Sequence, residues 1–318
     1  MKTIVCKFGG TSLASSGQMK KIRAILDDNT DRKFVVVSAP GKRSADDEKI
    51  TDLLYASLKD DNAWNKVVTR FFSLERDLNL NHTASDYLIV NKKEILSSKD
   101  FAASRGEYCS ALVFSSFIGW NFVDSYDFVR INDNGMIDDE TYSLINEVIK
   151  NDQRYVIPGF YGKGNDNKVK TFSRGGSDIT GAIVAKGVNA DLYENWSDVS
   201  GVMAANPRIV DNPKIIDELS YDELELLASC GAEVFHHDAV APVKDKIVIN
   251  IKNTNSPLDK GTFIVNANKH KSVNPLAVSV KDKTVYVLGN NTVLEQYALK
   301  SDDNEKEVVN RLYNKYFG

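Results

Sequence analysis

Phe172-Ser173-Arg174-Gly175-Gly176-Ser177-Asp178-Ile179-Thr180-Gly181-Ala182-Ile183-Val184-Ala185-Lys186 puts a basic residue, two glycines, hydroxyls and a carboxylate into one turn, and an apolar helix follows at once. Glycines let a backbone approach an anion closely. The free N–H groups and positive dipole at a helix start attract negative charge. This is the chemistry of a phosphate-handling turn. A second turn of the same kind, Lys7-Phe8-Gly9-Gly10-Thr11-Ser12, stands near the beginning of the chain. It is not a Walker A loop, because the lysine precedes the glycines. Two such turns, each joined to a strand-like run, ask for one explanation.

The runs around them predict the fold. Thr3 to Phe8 reads as a short apolar strand, and Phe34-Val35-Val36-Val37-Ser38 as a strand buried on both faces. Between them, Met19, Ile22, Ile25 and Leu26 recur at helical spacing over Gln18 to Asp27. Strand–helix–strand predicts a parallel sheet with helices on its faces. Further helices are expected over residues 50–58, 63–78, 87–96, 100–118, 139–150 and 221–229. Strands are expected at 155–158, leading into a loop at 159–166, and at 191–196 and 246–251. The stripe Trp64, Val67, Val68, Phe71, Phe72, Leu74 and Leu78 reads as core packing. The polar run from Ala267 to Ser272 reads as a linker. After it, 277–280 and 285–288 are strand-like and 305–316 helical. That tail is small for an independent domain.

Composition narrows the function. The chain has 318 residues, 42% hydrophobic and 26% charged, which suits a soluble globular protein of one large α/β domain or two smaller ones. A net charge of −4 gives no broad attraction to nucleic acid or to a membrane surface, so neither is an expected partner and any anion site must be local. Cys6, Cys109 and Cys230 form neither a disulfide framework nor a zinc pattern, so a reducing cytoplasm is expected. Lys2 and Lys7 interrupt the first residues too early for a signal peptide, and no apolar run reaches membrane length.

Several residues carry candidate chemistry beside a plainer reading. Lys7 is placed to reach a transferring phosphoryl group, or to sit in solvent at a strand end. Ser38 follows a buried strand, where open α/β sheets bind ligands, and either donates to a bound anion or shapes a turn. Thr51, before Asp52-Leu53-Leu54, is equally an early helix residue or a cap. Gly106, inside the helical run Ser104-Arg105-Gly106-Glu107, implies a close approach or a break. Glu107 either receives a substrate ammonium or faces solvent. Arg174 suits a bidentate grip on a carboxylate. Asp178 orients Lys7 or a metal-bound phosphate, caps its helix, or both. Phe160, on a glycine-flanked loop, either walls a pocket or belongs to a strand connection. Asp198 with Arg208 either holds ribose and phosphates or forms a surface pair worth little. The adjacent His236 and His237 are assigned no role.

In order along the chain, these pieces resemble the amino-acid kinase family, and within it the aspartate kinases, over roughly residues 2–266. The resemblance rests on Lys7-Phe8-Gly9-Gly10-Thr11-Ser12, Ser104-Arg105-Gly106-Glu107, Ser173-Arg174-Gly175-Gly176-Ser177-Asp178 and Trp196-Ser197-Asp198-Val199-Ser200-Gly201. It implies a three-layer α/β/α sandwich around a mainly parallel sheet. Residues 1–270 would form the catalytic domain, and 271–318 a linker with a short ACT-like fragment. It implies ATP-dependent phosphorylation of the β-carboxylate of L-aspartate in amino-acid biosynthesis, with Mg²⁺ held mainly by the ATP phosphates and not by a protein metal site. The alternatives are a different carboxylate acceptor, or a catalytically weak sensor.

The resemblance makes Lys7, Arg174 and Asp178 catalytic. It places Ser38, Thr51, Glu107, Phe160, Arg174 and Ser177 around the substrate. Lys7, Gly9, Gly10, Ser197, Asp198, Met203 and Arg208 would frame the nucleotide. It leaves room for a homo-oligomer. Departures from the family pattern are Ser197 for threonine, Met203 and Asn206 for the frequent tyrosine and aspartate, and Glu233 for a nucleotide-contacting lysine, with Lys252 as another source of charge.

Overall fold

Ile4–Phe8, fully buried along its length, forms strand β1. Its neighbours are β2 (Arg32–Val37) and, from far along the chain, β8 (Leu192–Ser197). Between β1 and β2 runs α1 (Ser16–Asp28), whose N-cap Ser15 accepts from the Gln18 N–H and whose Met19, Ile22, Ile25 and Leu26 are buried, as their spacing predicts. The structure is a computed structural model that describes residues 2–173, 175–232 and 237–318, and the chain divides into two compact units, residues 1–198 and 199–318.

In the first unit, β2 is followed by four helices: α2 (Ile50–Ala56), α3 (Asp61–Asp77), α4 (Thr83–Ile95) and α5 (Lys99–Ile118). Then come β3 (Asn121–Phe122), the single-turn α6 (Ser125–Phe128), β4 (Arg130–Ile131), α7 (Glu140–Val148) and β5 (Tyr155–Pro158). The hairpin β6 (Tyr161–Gly164) and β7 (Val169–Thr171) leads into α8 (Gly176–Gly187). Five strands pair in the order β3-β5-β2-β1-β8, every pair parallel. Along β1, Ile4, Cys6 and Phe8 join one core with Val35, Val37, Val156, Trp196 and the inner faces of α1 to α5. Alternation turns Val5 and Lys7 to the other face, which α8 covers. Helices on both faces make the expected three-layer α/β/α sandwich.

Two expectations change here. Residues 161–164 are not loop but strand, so Gly159-Phe160 is a tight corner between β5 and β6. Phe72 is 42% exposed and stacks on His82, although its stripe reads as core. Phe71 already occupies the buried line, and the next residue on a helix turns about 100° away from it.

On the α1 side, Arg32 grips Glu194 through Nε–Oε2 at 2.8 Å and Nη2–Oε1 at 3.0 Å, and donates from Nη1 to the Ile25 carbonyl. Trp196 Nε1 donates to the same carboxylate at 2.9 Å. Removing one member strands a buried charge, so Glu194→Ala should cost about 3–5 kcal/mol. A denaturant titration checks this, and a cost below about 1 kcal/mol would show that water reaches the site.

In the second unit, β9 (Glu218–Ser220) leads into α9 (Tyr221–Ser229), which Ser220 and Glu223 close with a capping box. β10 (Val248–Asn253) pairs antiparallel with β11 (Thr262–Val265), and β11 pairs parallel with β9. β12 (Ala277–Lys281), β13 (Thr284–Gly289) and β14 (Thr292–Ala298) form an antiparallel meander, with α10 (Glu305–Phe317) against β12 and β13. β14 has no counterpart among the expected strands. It is largely exposed and lacks the apolar run that marks the other two.

Candidate active site

Because β1, β2, β5 and β8 are parallel, their carboxyl ends lie along one edge, where open α/β sheets bind ligands. That edge carries Gly9-Gly10 after β1, Ser38 after β2, Gly159-Phe160 after β5 and Asp198 after β8. Lys7, one residue from the end of β1, is 7% exposed. Its Nζ lies 2.6 Å from Asp178 Oδ1 on the first turns of α8. Asn195, the register partner of Lys7 on β8, donates from Nδ2 to the same oxygen at 2.7 Å. Tyr193 donates from its hydroxyl to the Asp178 backbone carbonyl at 3.1 Å. The N-cap of α8 is Gly175, and no side chain caps it. Asp178, the acidic residue in the first turn of α8, holds Lys7 through the oxygen that Asn195 also reaches.

Each glycine turn has a measurable reason. A Cβ on Gly10 would stand 2.9 Å from the Ala39 carbonyl, and one on Gly41 would stand 2.8 Å from the Gly10 carbonyl carbon. The Gly41 N–H donates to the Gly10 carbonyl at 2.8 Å, so the turns after β1 and β2 lie backbone to backbone. At the start of α8, a Cβ on Gly176 would strike Phe160, and one on Gly159 would strike Ser177. Phe160 itself has φ 80°, a strained value for a non-glycine residue, and its N–H donates to Thr180 Oγ1 at 3.1 Å. Ser177 and Phe160 are thus brought together where α8 begins.

Gly106 marks a close approach rather than a break. α5 runs unbroken through it, and a Cβ there would meet Ala39 at 2.8 Å. The next residue, Glu107, is buried, and its Oε2 has no hydrogen-bond partner. Burial pushes its carboxyl up to about 8, against the pull of the Ala39 backbone N–H, its own N–H and the Arg105 guanidinium. Arg105 lies over the rings of Phe101, Tyr108 and Tyr161 and donates to the Tyr87 hydroxyl, which ties α5 to β6 beside Phe160. Thr51 is the second residue of α2, whose N-cap is Lys49, so it is an early helix position.

The remaining expected site residues are placed as follows. Ser38 donates its N–H to the Phe8 carbonyl at 3.1 Å. Ser197 ends β8 and Asp198 closes the first unit. Met203 and Arg208 belong to the second unit, where Met203 bridges to Ile215 and the Arg208 N–H donates to Asn206 Oδ1. Lys252 is buried, and its ammonium donates to the Asp259 carbonyl at 2.6 Å. Arg174 and Glu233 lie outside the described residues. Sequence reasoning passed over Asn195. The signal was available, because in a strand starting at Leu192 alternation sets Tyr193 and Asn195 on one face.

Residues 2–253 match the family model described as the amino acid kinase family. The chain is similar to aspartokinase 3 of Bacillus subtilis, with 35% identity over 88% of this chain and 67% of the relative. Among solved structures it is similar to aspartate kinase of Clostridium acetobutylicum, with 45% identity, a TM-score of 0.80, and coverage of 87% of this chain and 66% of that one. E. coli aspartokinase III, solved with aspartate and ADP, shares the fold at a TM-score of 0.76 and 24% identity, with coverage of 87% and 67%. The chain therefore spans about two thirds of the length of these relatives.

Proposed function

Because the chain belongs to the amino acid kinase family, we propose that it transfers the γ-phosphoryl group of ATP to the β-carboxylate of L-aspartate, giving 4-phospho-L-aspartate and ADP. The observation that carries this reading is the Lys7–Asp178–Asn195 cluster. It holds a buried ammonium at the ligand edge of a parallel sheet, beside two glycine turns. The 35% and 45% identities to an aspartokinase and an aspartate kinase support aspartate as acceptor.

The chemistry asks little of the protein beyond position and charge. A model aspartate side chain has a pKa of about 3.9, so the acceptor is already ionised and no general base is needed. A carboxylate oxygen attacks the γ-phosphorus in line, a P–O bond forms, and the bond to the β-phosphate oxygen breaks with its electrons leaving on ADP. Lys7 supplies fixed positive charge to the equatorial oxygens, and Asp178 with Asn195 hold it in one orientation. Glu107 receives the α-ammonium, Arg174 grips a substrate carboxylate, and Ser38, Thr51, Phe160 and Ser177 complete the acceptor side. Gly9, Gly10, Ser197 and Asp198 serve the nucleotide.

Mg²⁺ fits this donor set as an ion carried by the phosphates. Asp178 Oδ1 already takes two bonds, and no cluster of three acidic, histidine or cysteine ligands occurs among the described residues. Such an ion keeps several waters and neutralises phosphate charge when bound. Asp178 would be the carboxylate to meet it.

The reading includes a functional division near residue 270, with the β12–β14 meander and α10 as an ACT-like segment, and it allows a homo-oligomer. A cytoplasmic location is part of the same proposal. Among the described residues, no helix is long and apolar enough to cross a membrane.

Incubating the protein with L-aspartate, ATP, Mg²⁺ and hydroxylamine tests the whole. Aspartyl hydroxamate should accumulate in step with ADP. ADP release with another acid and none with aspartate would reassign the acceptor, and no turnover with any acid would remove the activity.

A further inference from the structure

We propose that Arg70, on α3 and outside the sheet edge, is a positioning residue for phosphoryl transfer: it holds Gly41 against Gly10 and so sets where the first glycine turn stands beside Lys7. The inference rests on the kinase reading above.

The segment Ala39–Glu48 leaves β2 at the ligand edge and reaches α2 without regular structure. A cleft of about 590 Å³ lies along it, lined by Arg43, Asp47, Lys66, Thr69 and Arg70 among others. Ala39 at its start packs into the core, and beyond it the segment is held by polar links. Arg70, 5% exposed, provides two of them. Nη2 donates to the Gly41 carbonyl at 2.8 Å, and Nη1 donates to Asp47 Oδ2 at 2.8 Å. Asp47 in turn takes the Arg43 N–H at 2.9 Å, Arg43 Nε at 2.8 Å and Arg43 Nη2 at 3.0 Å. Arg70 therefore closes the segment at both ends with one planar group. A lysine, with a single point charge, would not span both acceptors.

The chain of contacts to the reacting end is short. Arg70 holds the Gly41 carbonyl, the Gly41 N–H holds the Gly10 carbonyl, and the two glycines leave no room for a Cβ between them. Gly9 follows next, where a Cβ would stand 3.6 Å from Lys7 Nζ. Stability alone is a poor reason for this residue. A buried guanidinium carries a desolvation cost that an apolar side chain of similar volume avoids, and Arg70 Nε is buried with no partner. A misplacement of about 1 Å at a reacting centre can cost about a hundredfold in rate.

The test compares wild type, Arg70→Lys, Arg70→Gln and Gly41→Ala for ADP release with L-aspartate and ATP, scaled to the folded fraction by circular dichroism. If wild type fails to turn over aspartate, the kinase reading fails. With wild type active, the expected result is that kcat falls about 10–100-fold in Arg70→Gln and in Gly41→Ala, with KM for aspartate within about threefold. Arg70→Lys, keeping one link, should fall between. A kcat within about twofold of wild type in the folded variants overturns the inference, as does a loss that matches the unfolded fraction. Failure of all three variants to fold also overturns it, because Arg70 would then serve only structure.

Discussion

Lys7→Ala should lower kcat by about 10²–10³-fold while the KM for aspartate moves less than about threefold. The ammonium lies 2.6 Å from Asp178 Oδ1, and in the proposed reaction it serves the phosphoryl end while Glu107 takes the α-ammonium, so its loss touches charge development and not the grip on the amino acid. Lys7→Arg should not restore the rate. A planar fork cannot take the place of a compact ammonium already held at one oxygen by Asp178, whose other partner is Asn195. Coupled ADP-release kinetics at saturating ATP read both parameters. Equal losses in kcat and in aspartate affinity would take Lys7 out of the transition state and leave it a binding residue.

The second large effect concerns Glu107 and pH. Its ordinary value of 4.5 is pushed to about 8 by burial, so in the empty site the carboxyl is mostly protonated at neutral pH. An α-ammonium needs the anion, so binding aspartate must remove that proton. KM for aspartate should therefore fall about tenfold per pH unit as the pH rises from 6 toward 8, then level off. Glu107→Gln should raise KM above pH 8 by a factor of ten or more and flatten the slope. A KM independent of pH in wild type would show that the carboxyl is already ionised in the free protein.

The same shift has a stability consequence of opposite kind. Between about 4.5 and about 8 the unfolded chain has lost the proton that the folded chain keeps. Stability then declines with rising pH across that window, and the decline is complete above the folded value. Saturating aspartate should restore part of it, because the bound ammonium supplies the missing partner.

Much of the site was legible because its residues announce themselves by type and neighbour. Lys7 and Asp178 stand beside glycine pairs whose only economical use is close backbone approach, and both lie in the one cluster. Gly106 was legible as an anomaly within a helix, and Ala39 is the group it accommodates. Alternation made Asn195 legible as sharing a face with Tyr193, but not as a partner of Lys7, since the two are far apart in sequence and only the parallel register of β1 with β8 makes them neighbours. Phe72 misled because an apolar residue beside a buried line carries no mark of which side it takes.

What the amino-acid order determined alone is local: buried strands from β-branched runs, helices from apolar spacing, and two anion-ready turns from glycine and charge. Those features depend on residues a few positions apart, where backbone sterics and burial periodicity suffice. Tertiary structure alone decided that Asp178 holds Lys7, that Glu107 Oε2 is buried without a hydrogen-bond partner, and that Arg70 reaches Gly41. Each of these turns on distance and desolvation between residues remote in the chain, quantities that exist only once the sheet has set its register and the helices have closed over it.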